Sequence, residues 1–142
     1  MPLFKADDEV RVREALGGLD RPVELLVAHG PEETPLPGAG DIDFGAETER
    51  VANGLAELSP LVSVRVEEQP DGFARYPAVA VLPEGRDVGL RYYGLPWGYE
   101  LGSLIGAVLE AGRAESSLKP ASLERLASVE QELAIDVFVT PT

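Results

Sequence analysis

Apolar residues recur at Val12, Leu16 and Leu19, the spacing of one helical face, beginning near Asp7 and stopping at Gly17-Gly18. Asp7, Asp8 and Glu9 suit the positive end of such a helix. After Arg21-Pro22, the run Val23-Glu24-Leu25-Leu26-Val27-Ala28 is short, apolar and bounded by turn formers, which predicts a buried strand. Residues 29–45, from His29 to Gly45, hold Pro31, Pro35, Pro37, Gly38 and Gly40 and read as a long surface loop. Val51, Leu55 and Leu58 then mark a helix ending before Pro60.

Val62, Val64 and Val66 alternate with Ser63 and Arg65, the period of a strand with one buried face. Residues 67–76 are polar and contain Pro70-Asp71-Gly72, leaving little room for a helix before the strand Ala78-Val79-Ala80-Val81-Leu82. A turn at residues 83–87 and a strand over residues 88–93 complete an antiparallel hairpin. Leu101, Leu104, Ile105, Val108 and Leu109 follow at helical spacing, closed by Gly112. Pro120 opens a further helix carried by Leu126, Val129 and Leu133, and Ile135-Asp136-Val137-Phe138-Val139-Thr140 is a strand pattern. The order predicts an α/β fold: a parallel crossover between the first two strands, a hairpin, and helices on a mixed sheet of about four strands.

Composition narrows the chemistry. Twelve Lys and Arg against 25 Asp and Glu give a net charge of −13, a field that repels a phosphate backbone, so nucleic acid is not an expected partner. A solvated acidic face explains the charge as well as a basic partner does. No basic start precedes a long apolar run, and no stretch reaches the ~18 apolar residues needed to span a bilayer, so the expected setting is cytoplasmic, without membrane. The sequence holds no cysteine and one histidine, His29. Disulfides, thiolate nucleophiles and thiolate metal sites are therefore absent from this chain.

Strand, helix, strand, then hairpin and helix is similar to the thioredoxin-like layout. Pro77, in Arg75-Tyr76-Pro77-Ala78, stands where that family carries a cis-proline before its third strand. Only about 5–6% of X–Pro bonds in folded proteins are cis, so it is the resemblance that implies this isomer. Arg91-Tyr92-Tyr93-Gly94-Leu95-Pro96-Trp97-Gly98-Tyr99-Glu100-Leu101 resembles a stretch, R-[YF]-x-G-x-P-x-G-H-E-F, shared by two families. These are the protein disulfide oxidoreductases with two tandem thioredoxin folds, and the N-terminal domain of the alkyl hydroperoxide reductase flavoprotein subunit. Tyr99 replaces the usual His and Leu101 the usual Phe, so no role of that His carries over. Val137-Phe138-Val139-Thr140-Pro141-Thr142 resembles the strand that, in the disulfide oxidoreductases, runs into C-P-Y-C. The site after the first strand, Ala28-His29-Gly30-Pro31, has no C-x-x-C, and the second thioredoxin helix is missing, both similar to the degenerate first fold of the flavoprotein.

Other constellations are weaker. Gly38-Ala39-Gly40-Asp41-Ile42-Asp43 lacks the strand, third glycine and basic residue of phosphate loops. Asp41, Asp43, Glu47 and Glu49 offer oxygen ligands without calcium-loop spacing. His29 ends a strand with no identifiable nucleophile beside it and reads as a structural histidine. Tyr92, Tyr93, Trp97 and Tyr99 form a candidate docking surface, or ordinary packing around a turn.

The resemblance implies a redox-inactive, degenerate thioredoxin-like domain over residues 1–113, a connecting helix over 114–134, and over 135–142 either the first strand of a second such fold or an added edge strand. The expected partner is an adjacent catalytic thioredoxin-like domain or a redox partner protein, with self-association a further possibility. No catalytic residue, metal or cofactor is assigned. The alternative is a free-standing acidic protein-binding domain without catalytic activity.

Overall fold

The computed structural model describes residues 3–31 and 40–139. Its elements, in chain order, are α1 (Ala6–Leu16), β1 (Val23–His29), α2 (Phe44–Ala56), β2 (Val62–Glu68), β3 (Ala78–Pro83), β4 (Arg91–Tyr93), α3 (Tyr99–Ala111) and α4 (Pro120–Ala127). The sheet order is β2-β1-β3-β4. β1 pairs parallel with β2, Leu25 opposite Val64, and antiparallel with β3, Leu25 opposite Val81. β4 closes the other edge antiparallel to β3, Tyr92 opposite Val79. This is a thioredoxin-like α/β fold without the helix that would join β2 to β3.

Alternation along the strands sorts their side chains into two unequal layers. Val23, Leu25, Val27, Val79 and Val81 join Leu16 and Leu19, Val51, Ala52 and Leu55 of α2, and Leu104 and Val108 of α3 in the main core. α1, α2 and α3 thus press on one face. The opposite face buries Leu26, Ala80 and Leu82, packed against Phe73 of the β2–β3 connection. Ala28 and Ala78, opposite each other in the β1–β3 ladder, are also fully buried.

That second face is closed by a loop instead of a helix. The Arg91 guanidinium lies 4.5 Å from the Phe73 ring centroid, and Arg91 donates to both Asp87 carboxylate oxygens at 2.8 and 2.6 Å. The Ala74 N–H donates to Tyr93 Oη at 3.3 Å, and Tyr76 Oη donates to the Pro70 carbonyl at 3.2 Å. Over β1 and β2, Arg65 spans Glu24 and Glu67.

The first helix ends at Leu16 with Gly17 as its C-cap, at the expected glycine pair, and Leu19 packs from the following loop. Three sequence expectations need correction. The hairpin's second strand starts at Arg91: residues 87–89 are tied into a turn by the Gly89 N–H on Asp87 Oδ1, 2.9 Å. The last helix stops at Ala127, leaving Val129 and Leu133 outside it. Residues 135–139 form no strand and add no edge to the sheet, since among the described residues no ladder neighbour meets them and Phe138 is 88% exposed. Among the described residues no helix is long and apolar enough to cross a membrane.

Candidate functional site

β1 and β2 end side by side at His29 and Glu68, and α2, which connects them, starts beside the same end. In open α/β sheets this crevice beyond the carboxyl ends of the strands is where sites form. Here it is a cleft of about 370 Å³ lined by His29, Gly30, Asp43, Gly45, Glu68 and Pro77. Asp43 caps α2, its Oδ1 accepting from the Ala46 N–H at 2.9 Å. His29 Nε2 lies 3.1 Å from Glu49 Oε2, one turn into α2, and the imidazole is 19% exposed. The other side of that ring faces Gly45, where a Cβ would sit 2.7 Å from Nδ1. Gly30 is held equally close: a Cβ there would run into the ring of Tyr76. The Tyr76–Pro77 peptide bond, across the cleft, is cis.

The candidate oxygen ligands are engaged separately. Asp43 caps the helix, Glu47 binds Arg50 at 2.9 Å and Glu49 binds His29. Among the described residues no group of three His, Asp or Glu could hold a metal ion. Gly38 and Ala39 of the Gly-rich stretch lie outside the described residues, whereas Gly40 stands at φ +65°. The aromatic set is divided. Tyr92 packs against the main core, and Tyr93, one residue on, points to the other face and meets Ala74. Burial, with a smaller contribution from Glu100, pushes the Tyr92 hydroxyl up to about 12. Trp97 is 52% exposed, with Arg50 stacked 5.4 Å from its centroid, and Tyr99 is 88% exposed at the start of α3.

The Arg91 to Leu101 stretch has a structural meaning at its main matched positions. Arg91 anchors the β2–β3 connection and Pro96 is fully buried. Gly98, at φ +63° and ψ −130°, turns the chain into α3 where a side chain would be strained. Sequence reasoning did not single out Gly30, Gly45, Glu68 and Tyr76 as cleft residues. The glycines sat in a loop that already looked flexible, and Tyr76 is distant in sequence from β1.

No family model matches the chain. It is 26% identical to the alkyl hydroperoxide reductase protein AhpF of Pseudomonas putida over 104 residues, 73% of this chain and 20% of that protein. The chain spans a fifth to a quarter of the length of the curated relatives it matches. A structure of the alkylhydroperoxide reductase protein AhpF from Enterococcus faecalis superposes with a TM-score of 0.73 at 18% identity, covering 88% of this chain and 60% of that one. A protein disulfide oxidoreductase from Aeropyrum pernix gives a TM-score of 0.66 at 24% identity, covering 87% of this chain and 54% of that one. The cysteine-free cleft beside Pro77 thus sits in a thioredoxin-like domain similar to the N-terminal domain of the alkyl hydroperoxide reductase protein AhpF.

Proposed function

We propose that this chain is a scaffold and docking domain of a peroxide-reductase or thiol–disulfide oxidoreductase system, itself without redox activity. The carrying observation is the content of the cleft. At the carboxyl end of β1, facing Pro77, stand His29, paired with Glu49, and Gly30, locked against Tyr76, with no thiol in the sequence. Disulfide exchange needs an attacking thiolate. In this reading, cysteines of an adjacent thioredoxin-like unit perform the exchange, and this domain contributes orientation and surface. Residues 135–139, which pair with no strand of the described chain, would become the first strand of that unit by joining its sheet. Trp97 and Tyr99, the most exposed members of the aromatic set, form the docking edge.

The test is an intact mass of the native protein, read beside its open reading frame. A mass well above 15.2 kDa, with C-x-x-C soon after Thr142, is the expected result. A native mass of 15.2 kDa would overturn the reading and leave an acidic binding domain that keeps the fold without the chemistry.

A further inference from the structure

The route by which the chain leaves α3 is fixed at several points. The last carbonyls of a helix have no partner inside it. At α3 they are met by the α1–β1 connection, some ninety residues earlier. The backbone N–H groups of Asp20 and Arg21 both donate to the Gly112 carbonyl, at 2.9 and 3.2 Å, and Arg21 Nε donates to the Ala111 carbonyl at 2.9 Å. The guanidinium also places a cation at the negative end of the helix. Arg21 is itself 3.7 Å from Glu84 Oε2 in the β3–β4 turn, and the Glu84 N–H donates to the Pro22 carbonyl at 2.8 Å.

The next residues are caught by carboxylates. The Ala114 N–H donates to Asp20 Oδ2 at 2.9 Å, and the Ser117 N–H donates to Glu110 Oε1 at 2.9 Å. Arg113 Nε lies 3.4 Å from the other oxygen of Glu110. These bonds to the charged form hold the Glu110 carboxyl below its ordinary range. α4 then starts at Pro120 and buries none of its residues, so the core does not set its direction. Leu123, Leu126, Val129, Leu133 and Val137 beyond the joint are all exposed.

We propose that Asp20, Arg21 and Glu110 form a rigid joint that sets the angle at which α4 and the apolar segment after it leave the domain. On the scaffold reading given above, the joint presents the neighbouring unit in one orientation instead of on a free tether. Asp20 and Glu110 are positioning residues in this device, acting through the backbone N–H groups of Ala114 and Ser117, with Arg113 as a further partner of Glu110.

Residual dipolar couplings of the full chain, weakly aligned, test it. The N–H couplings of α4 are expected to fit the alignment of the four-stranded sheet. In the double variant Asp20→Ala, Glu110→Ala they should fall to less than half while the sheet couplings stay unchanged. Couplings of α4 already collapsed in the unaltered protein, or unchanged in the double variant, would overturn the joint. Should the double variant disturb the sheet, Glu110→Ala alone, which touches only a surface carboxylate, is judged by the same two outcomes. The couplings report on the joint alone. The native mass reports on whether a unit follows it, so either idea fails without the other.

Discussion

On one face of the sheet Leu25, Val27, Val79 and Val81 lie beneath α1, α2 and α3, whereas on the other Leu26, Ala80 and Leu82 lie beneath the β2–β3 connection and a row of charges. The first face excludes water with large branched side chains. The second does so by being thin: Ala28, Ala78 and Ala80 are all fully buried, and their small size lets a loop with a single aromatic residue, Phe73, come down onto the strands. A thioredoxin-like sheet can therefore do without a covering helix if the residues below it shrink and a clamp such as Arg91 holds the replacement in place.

The comparison can be broken most severely from the thick face. Leu25→Ala leaves a cavity among fully buried neighbours and should cost about 3–4 kcal/mol. Chemical denaturation should show this as a lower midpoint with little change in slope. On the thin face the damaging change runs the other way. Ala80→Leu adds volume where none is free and should cost about 2 kcal/mol, with amide exchange in residues 70–77 accelerating as the loop is lifted. Leu26→Ala, at the same face, should then relieve part of that cost in the double variant, a coupling absent if the faces were alike.

Thr48 supplies a smaller effect of opposite sign. Its hydroxyl is buried at the helix-covered face with no hydrogen-bond partner among the described residues. Thr48→Val should raise stability by up to about 1 kcal/mol in the same denaturation experiment. A loss would mean that the hydroxyl is satisfied after all.

The smallest effects are in pH. The Arg91 hydrogen bonds, with the Gly89 N–H, lower Asp87 to about 2. Its stabilising contribution is present above the unfolded carboxylate range and is lost as pH falls from about 4 towards 2. Tyr92 is raised to about 12, so its contribution is intact below about 10 and is lost as pH climbs from there towards 12. Melting curves of Asp87→Asn should be flatter in the acid window, and those of Tyr92→Phe in the alkaline one. Both shifts should be modest, because Asp87 is largely exposed and screened.

The sequence made the secondary elements legible wherever periodicity was backed by burial. Val51 and Leu55 marked α2, Leu104 and Val108 marked α3, and Val62, Val64, Val79 and Val81 marked strands, because each of these positions answers to one core, whereas Val66 near the end of β2 is exposed. The same apolar signal misled at residues 135–139. Alternation describes what a strand would bury, not whether a neighbour exists to pair with it, and the described chain offers none. The site was half legible. His29 and Glu49 were each noticed, but their pairing depends on how α2 returns over β1, which no local pattern encodes. The contacts of Asp20 and Arg21 with the end of α3 were invisible for the same reason. The motif from Arg91 to Gly98 was recognisable by likeness, while the meaning of Arg91 needed Phe73 to be seen beneath it.

The packing of Gly30 against Tyr76 also bears on which side chains the cleft can admit. A single codon change to cysteine at position 30 would drive the new side chain into the tyrosine ring. A thiol fits there only if the Tyr76 side chain shifts or is made smaller. Cysteine at position 29 would strip Glu49 of the imidazole it now holds. Installing thiol chemistry in this cleft therefore takes coupled changes at two places, although the strand end that would carry it is already formed.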